Sequence, residues 1–129
     1  VGRRLTTEER ALRSISERDY QAQITALATM YGWRWRHFKD SRKEVKRGGR
    51  SMWVGDADAA GWPDLVLVRP PEFLVIEVKR ETGVVTPEQA EWLDLLRSCG
   101  IEVIVARPSN FGEVQARLTR SRPRQRRPS

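Results

Sequence analysis

Residues 74–79 read Leu-Val-Ile-Glu-Val-Lys. Side chains alternate across a strand, so Leu74, Ile76 and Val78 share one face while Val75, Glu77 and Lys79 share the other. Both faces begin apolar, which marks a strand covered on both sides near the centre of a sheet. A carboxylate and an ammonium on such a strand each lose hydration worth on the order of several kcal/mol unless partners replace it. By the rise per residue, Glu77 and Lys79 stand about 6.5 Å apart along the strand, close enough to serve one small site. Whatever fold the chain adopts must accommodate that pair.

With 129 residues, the chain fits one compact domain. Its pattern predicts an arm or short helix over 1–15, then a helix over 17–31 capped by Ser16 and stopped by Gly32. Residues 33–38 form an aromatic-rich strand, and residues 39–63 are expected to be a long loop with little apolar pattern. Runs 64–68 and 74–79 flank Arg69-Pro70-Pro71-Glu72 and predict an antiparallel hairpin. Thr86-Pro87-Glu88-Gln89 opens a helix with a capping box and a proline in its first turn, and Gly100 ends it. A strand over 101–106 follows, entered straight from that helix, as in a parallel crossover. Asn110 and Glu113 cap a last helix whose Phe111, Val114 and Leu118 face inward. The expected order is α-β-β-β-α-β-α: an α/β fold with a mixed sheet flanked by helices.

Asp64 follows Gly61-Trp62-Pro63 and lies thirteen positions before Glu77. The hairpin can carry it beside Glu77, and two converging carboxylates make a hard oxygen site for Mg²⁺ or Mn²⁺. Such an ion polarises a phosphate and acidifies a water. Lys79 can hold that water or stabilise charge developing on the phosphate. An isolated Glu-x-Lys is common and is ordinarily a structural pair. Its combination with Gly-x-Pro-Asp, both on β-runs, is far more specific.

Gly61-Trp62-Pro63-Asp64, Ile76-Glu77-Val78-Lys79 and Thr86-Pro87-Glu88-Gln89 together resemble the PD-(D/E)xK nuclease superfamily. More narrowly, they resemble its virus-type replication-repair nuclease (VRR-NUC) domain, which includes small phage and bacterial versions. The resemblance spans roughly residues 16–118 and implies a restriction-endonuclease-like αβββαβ core. It implies Asp64 and Glu77 as metal ligands with the Val78 carbonyl, Lys79 as the catalytic lysine, and Gln89 as a supporting residue. Glu17 is the match for a first-helix glutamate, although an acidic group in a first helical turn is ordinarily a dipole-favoured surface residue. Domain limits follow as an arm over 1–15, a nuclease domain over 16–119 and a tail over 120–129.

Net charge is +7, of which the tail arginines 120, 122, 124, 126 and 127 supply five, leaving the body at +2. That tail has no apolar face and is expected to be disordered, serving either phosphate affinity or solubility. Arg42, Lys43, Lys46, Arg47 and Arg50 form the dense basic patch of the body, and either grip a nucleic-acid backbone or lie in a solvated loop. Trp53, in the same polar segment, is the tryptophan best placed to stack on a base. His37, the one histidine, excludes a His-rich metal site and reads as a partly buried strand residue. Asp56-Ala57-Asp58 mimics a calcium loop, but Leu67 stands where its bidentate Glu belongs. Gly48-Gly49 lacks phosphate-loop spacing, so no nucleotide cofactor is expected. One cysteine, Cys99, and the lack of any apolar run of membrane-spanning length suit a cytoplasmic protein. The reading is a Mg²⁺- or Mn²⁺-dependent DNA endonuclease selective for branched structure, with a homodimer suggested by the resemblance. A non-cleaving DNA-binding module and an RNA-directed nuclease are the alternatives.

Overall fold

The computed structural model describes residues 2–38, 43–47, 50–54 and 60–121. Helix α1 (Thr7–Ser14) is capped by Thr6, whose hydroxyl accepts from the Glu9 amide at 3.0 Å. Ser16 does the same for Asp19, so the chain restarts at once as α2 (Glu17–Met30). After α2, the Trp33 amide reaches back to the Ala28 carbonyl and the Gly32 amide to Thr29, a Schellman closure requiring a left-handed residue. Gly32 supplies it, with φ 84°. Helix α3 (Pro87–Ser98) carries the expected capping box, and α4 (Phe111–Thr119) follows a 3₁₀ turn over Pro108–Asn110. No helix among the described residues is long and apolar enough to cross a membrane.

One sheet is ordered β1 (Arg34–His37), β4 (Leu65–Arg69), β5 (Glu72–Val78), β6 (Glu102–Ala106). Pairings β1–β4 and β4–β5 are antiparallel and β5–β6 is parallel, the mixed arrangement the sequence predicts. Leu65, Leu74, Ile76 and Val78 face α2 and α4, where they pack with Ile24, Val114 and Leu118 in the main core. Leu93 of α3 is also buried, and α3 packs beside β6. Strand β5 is covered on both faces from Leu74 onward, as its apolar run demands.

The expected loop over 39–63 is corrected by a second, two-stranded sheet, β2 (Lys43–Arg47) paired antiparallel with β3 (Arg50–Val54). Val45 sits opposite Met52. Their neighbours are charged or polar enough to hide the alternation from a hydrophobicity reading. Asn110 does not cap α4 as expected: its side chain accepts from the Arg107 amide at 2.7 Å and donates to the Val105 carbonyl at 2.8 Å. Those bonds instead fasten the end of β6. The expected disorder of the tail beyond residue 121 lies outside the described residues.

Arg69 and Glu72, read as part of a turn, are paired strand residues and form a buried ionic cluster. Glu72 Oε1 accepts from Arg69 Nε at 2.9 Å, and Oε2 accepts from Arg117 Nη1 at 2.6 Å. Arg69 also donates to the carbonyls of Tyr31 and Arg120, and stacks over Trp33 at 4.5 Å. The cluster therefore ties the hairpin turn to α2, α4 and the first residue of the tail. Burial alone would raise the Glu72 carboxyl; the Arg117 and Arg69 hydrogen bonds outweigh it and hold the group below its ordinary value. A carboxyl depressed on folding stabilises the protein above its unfolded pKa and loses that contribution as pH falls through the folded value. Replacing Glu72 with Ala should cost about 3–5 kcal/mol, because the buried Arg69 guanidinium loses its counter-charge while Arg117 keeps only Glu102. Urea denaturation at pH 7 measures the loss, and a cost below about 1 kcal/mol would show the cluster to be dispensable.

Candidate active site

Asp64 sits just before β4, at the end of a tightly constrained approach. Gly61 has φ 81°, and a Cβ there would come within 2.6 Å of the Glu88 backbone, so the approach runs hard against the first turn of α3. Trp62 packs edge-on against Trp92 of α3 and Phe38 beyond β1, with centroids 5.1 and 6.0 Å away. Trp92 Nε1 donates to the Ala60 carbonyl at 3.1 Å. The Asp64 carbonyl accepts from the Phe38 amide at 2.8 Å, and its Oδ2 accepts from the Val78 amide at 2.9 Å. Because Leu65 pairs with Ile76, these bonds set the Asp64 carboxylate beside Glu77.

Glu77 is 1% exposed and Lys79 8% exposed. Lys79 Nζ lies 3.7 Å from Glu77 Oε1, and Gln89 bridges the two. Gln89 Oε1 accepts from Lys79 Nζ at 2.8 Å and from the Thr86 amide at 2.9 Å, while its Nε2 donates to Glu77 Oε1 at 3.0 Å. The capping box that starts α3 thus also fixes the amide orientation inside the site. Glu77 Oε2 is buried with no hydrogen-bond partner. Burial, followed by the charge of Asp64, pushes the Glu77 carboxyl up to about 8 against the pull of Lys79. Glu17, in the first turn of α2, is raised by partial burial and by Asp64, and lowered by Lys79 and His37. Its carboxylate therefore shares the field of the site without touching it. His37 is half-buried on β1.

A residue without a sequence signal supports Lys79 from behind. Arg107 Nη1 donates to the carbonyls of Arg80, Glu81 and Gly83, gathering the turn that follows Lys79. The Arg107 carbonyl accepts from the Tyr20 hydroxyl at 2.7 Å, and the Lys79 amide donates to the Ala106 carbonyl at 2.9 Å. A Cβ at Gly83 would come within 3.2 Å of the Arg80 side chain and 3.5 Å of the Lys79 stem. Nothing in Ala-Arg-Pro-Ser-Asn marks this arginine, because its partners are main-chain carbonyls distant in sequence.

Of the sequence candidates, Asp64, Glu77, Lys79 and Gln89 converge, Glu17 lies within electrostatic reach, and Val78 joins through its amide to Asp64. Arg42 lies outside the described residues. Lys43, Lys46, Arg47 and Arg50 fall on β2 and β3, where only the backbone is described. Among the described residues, no group of three or more His, Cys, Asp or Glu side chains could hold a metal. The donors present are the Asp64 and Glu77 carboxylates, with the buried, unbonded Glu77 Oε2 lacking a positive partner of its own. Hard oxygens in that state fit one Mg²⁺ or Mn²⁺, with water or phosphate completing its shell.

Residues 7–110 match the family model of the VRR-NUC domain. The chain belongs to the VRR-NUC family. That nuclease-domain match contains every converging site residue and ends before α4. No curated protein and no solved structure shows a significant match to the chain. The VRR-NUC sheet and its flanking helices agree with a restriction-endonuclease-like core.

A carboxyl raised on folding binds its proton more tightly in the native state, so its contribution to stability falls as pH rises between the unfolded and folded values. For Glu77 that window runs from 4.5 to about 8. In chelator, Glu77→Gln should remove that slope and raise the melting midpoint at pH 8 by at least about 3 °C. Equal midpoints for the two proteins at pH 8 would show that Glu77 is not strained by its surroundings.

Proposed function

We propose that this VRR-NUC protein is a metal-dependent DNA endonuclease that prefers branched or otherwise structured DNA. The observation that carries the reading is the buried Glu77 carboxyl, one oxygen unbonded, between Asp64 and the Lys79 ammonium. Desolvated like charges beside a directed ammonium are costly to keep unless they act together on a ligand. Asp64 and Glu77, with the Val78 carbonyl, would hold Mg²⁺ or Mn²⁺. When bound, the ion supplies Lewis acidity toward a phosphate and acidifies a water.

The protein's own groups divide the remaining work. Lys79 presents a proton donor and a positive charge where the phosphate oxygens become more negative, or orients the attacking water. Gln89 holds that ammonium at 2.8 Å and limits its rotation. Glu17 contributes negative charge at the rim and repels a misplaced phosphate oxygen. Basic groups at Arg42, Lys43, Lys46, Arg47 and Arg50 would supply affinity for the DNA backbone. A homodimer, which could cut opposing strands of a branch, and a cytoplasmic setting complete the proposal.

Chemistry and affinity should separate on mutation. Lys79→Ala and Asp64→Asn should each lower cleavage of a junction or flap substrate by at least about a thousandfold. Both should bind the same DNA within a few-fold of the parent when Ca²⁺ replaces Mg²⁺. Gel assays over branched, nicked and linear DNA, with an RNA control, read cutting, while anisotropy reads binding. Near-normal cutting by Lys79→Ala would make that lysine structural, no cutting of any substrate by the parent would end the enzyme reading, and preferential cutting of the RNA would redirect it.

A further inference from the structure

The geometry points to a phosphate track along β1, formed by Arg34 and Arg36 and leading to the site. β1 is an edge strand of the four-stranded sheet. Its register puts Arg36 opposite Val66 and Arg34 opposite Val68, while Phe38 bonds to the Asp64 carbonyl. Across the sheet, Val66 pairs with Val75 and Val68 with Phe73. Cross-strand partners point to the same face and alternate residues share a face, so Arg34 and Arg36 lie on the Glu77 face. Successive rows from the site outward are therefore Phe38 with Asp64, Arg36 with Val66, and Arg34 with Val68.

Both arginines are exposed, and among the described residues neither forms an ion pair. The buried Arg69 and the half-buried Arg117 behave differently, being consumed by carboxylates. The Arg36 guanidinium lies 5.9 Å from the Phe38 ring centroid, which biases it toward the site end of the strand. Beside the arginines, Val66 and Val68 are half-buried and Phe73 is 45% exposed, forming a shallow apolar floor. Two arginines without an ion pair, about 6.5 Å apart along the strand backbone, border an apolar strip that ends at two carboxylates and a lysine, an arrangement that matches a nucleic-acid strand. Its phosphates meet the arginines while its sugars lie over the valines, and the next phosphate reaches Lys79. The track deepens the proposed nuclease reading and rests on it for the direction in which the strand runs.

The test is binding of the full chain to fluorescent oligonucleotides in Ca²⁺, across a salt series, with a single-stranded and a duplex probe. Arg34→Gln combined with Arg36→Gln should reduce the log–log salt slope by about 1.4 for the single strand or about 1.8 for the duplex. Affinity at physiological salt should fall by about tenfold, and the double lysine variant should keep most of the slope. Whichever probe shows the change identifies the kind of strand that occupies the track. Arg10→Gln combined with Arg97→Gln removes the same charge from α1 and from the end of α3, and should leave the slope unchanged. An unchanged slope in the Arg34/Arg36 variant, an equal change in the control pair, or no nucleic-acid binding by the parent would each overturn the track. Cleavage by Lys79→Ala is a separate measurement, so failure of the nuclease reading is not confused with failure of the track.

Discussion

The structure depends on a carboxylate held on a strand that is covered on both faces. Glu77 can remain there because Gln89 reaches in from α3 with one amide hydrogen and the Lys79 ammonium stands 3.7 Å away. Those contacts require α3 to begin where its capping box begins, since the Gln89 carbonyl also accepts from the Thr86 amide. The turn between β5 and α3 must in turn be held, and Arg107 holds it by three carbonyls. Local helix chemistry and long-range packing thus meet on one buried group.

Strand β5 carries two buried acids, and their treatment differs. Glu72 lies at one end, on the core face, with both oxygens hydrogen-bonded to arginines and its carboxyl held below the ordinary value. Glu77 lies near the other end, on the opposite face, with one oxygen unbonded and its carboxyl raised. The first is neutralised completely and joins elements together. The second keeps one oxygen without a donor, and its burial beside Asp64 makes it costly to ionise. Burial alone would not have distinguished them; the count of satisfied oxygens does.

Much of the frame was legible because its signals are local. Ser16 and Thr86 capped the helices they were expected to cap, Gly32 and Gly100 follow the helices they were expected to stop, and the 74–79 run became a central strand. The small sheet of β2 and β3 was not legible, because hydrophobic alternation is faint among so many charges. Asn110 misled for a related reason: its composition suited a cap, but the Arg107 amide and Val105 carbonyl competed for the same side chain. Arg69 and Glu72 were read as turn residues because prolines separate them, and only the pairing of β4 with β5 made them buried partners.

The sequence by itself determined which chemistry was present: Asp64, Glu77 and Lys79, their spacing along two strands, and Gln89 in a capping box. Periodicity and capping act over a few residues, so they could be read without the fold. Tertiary structure alone decided that Asp64 binds the Val78 amide, that Gln89 spans Glu77 and Lys79, and that Arg107 secures the turn behind them. It also decided that one Glu77 oxygen would be left without a donor. Each of these facts depends on register and on contacts between residues distant in the chain. Desolvation and hydrogen-bond satisfaction are properties of the assembled surroundings, and no stretch of sequence carries them alone.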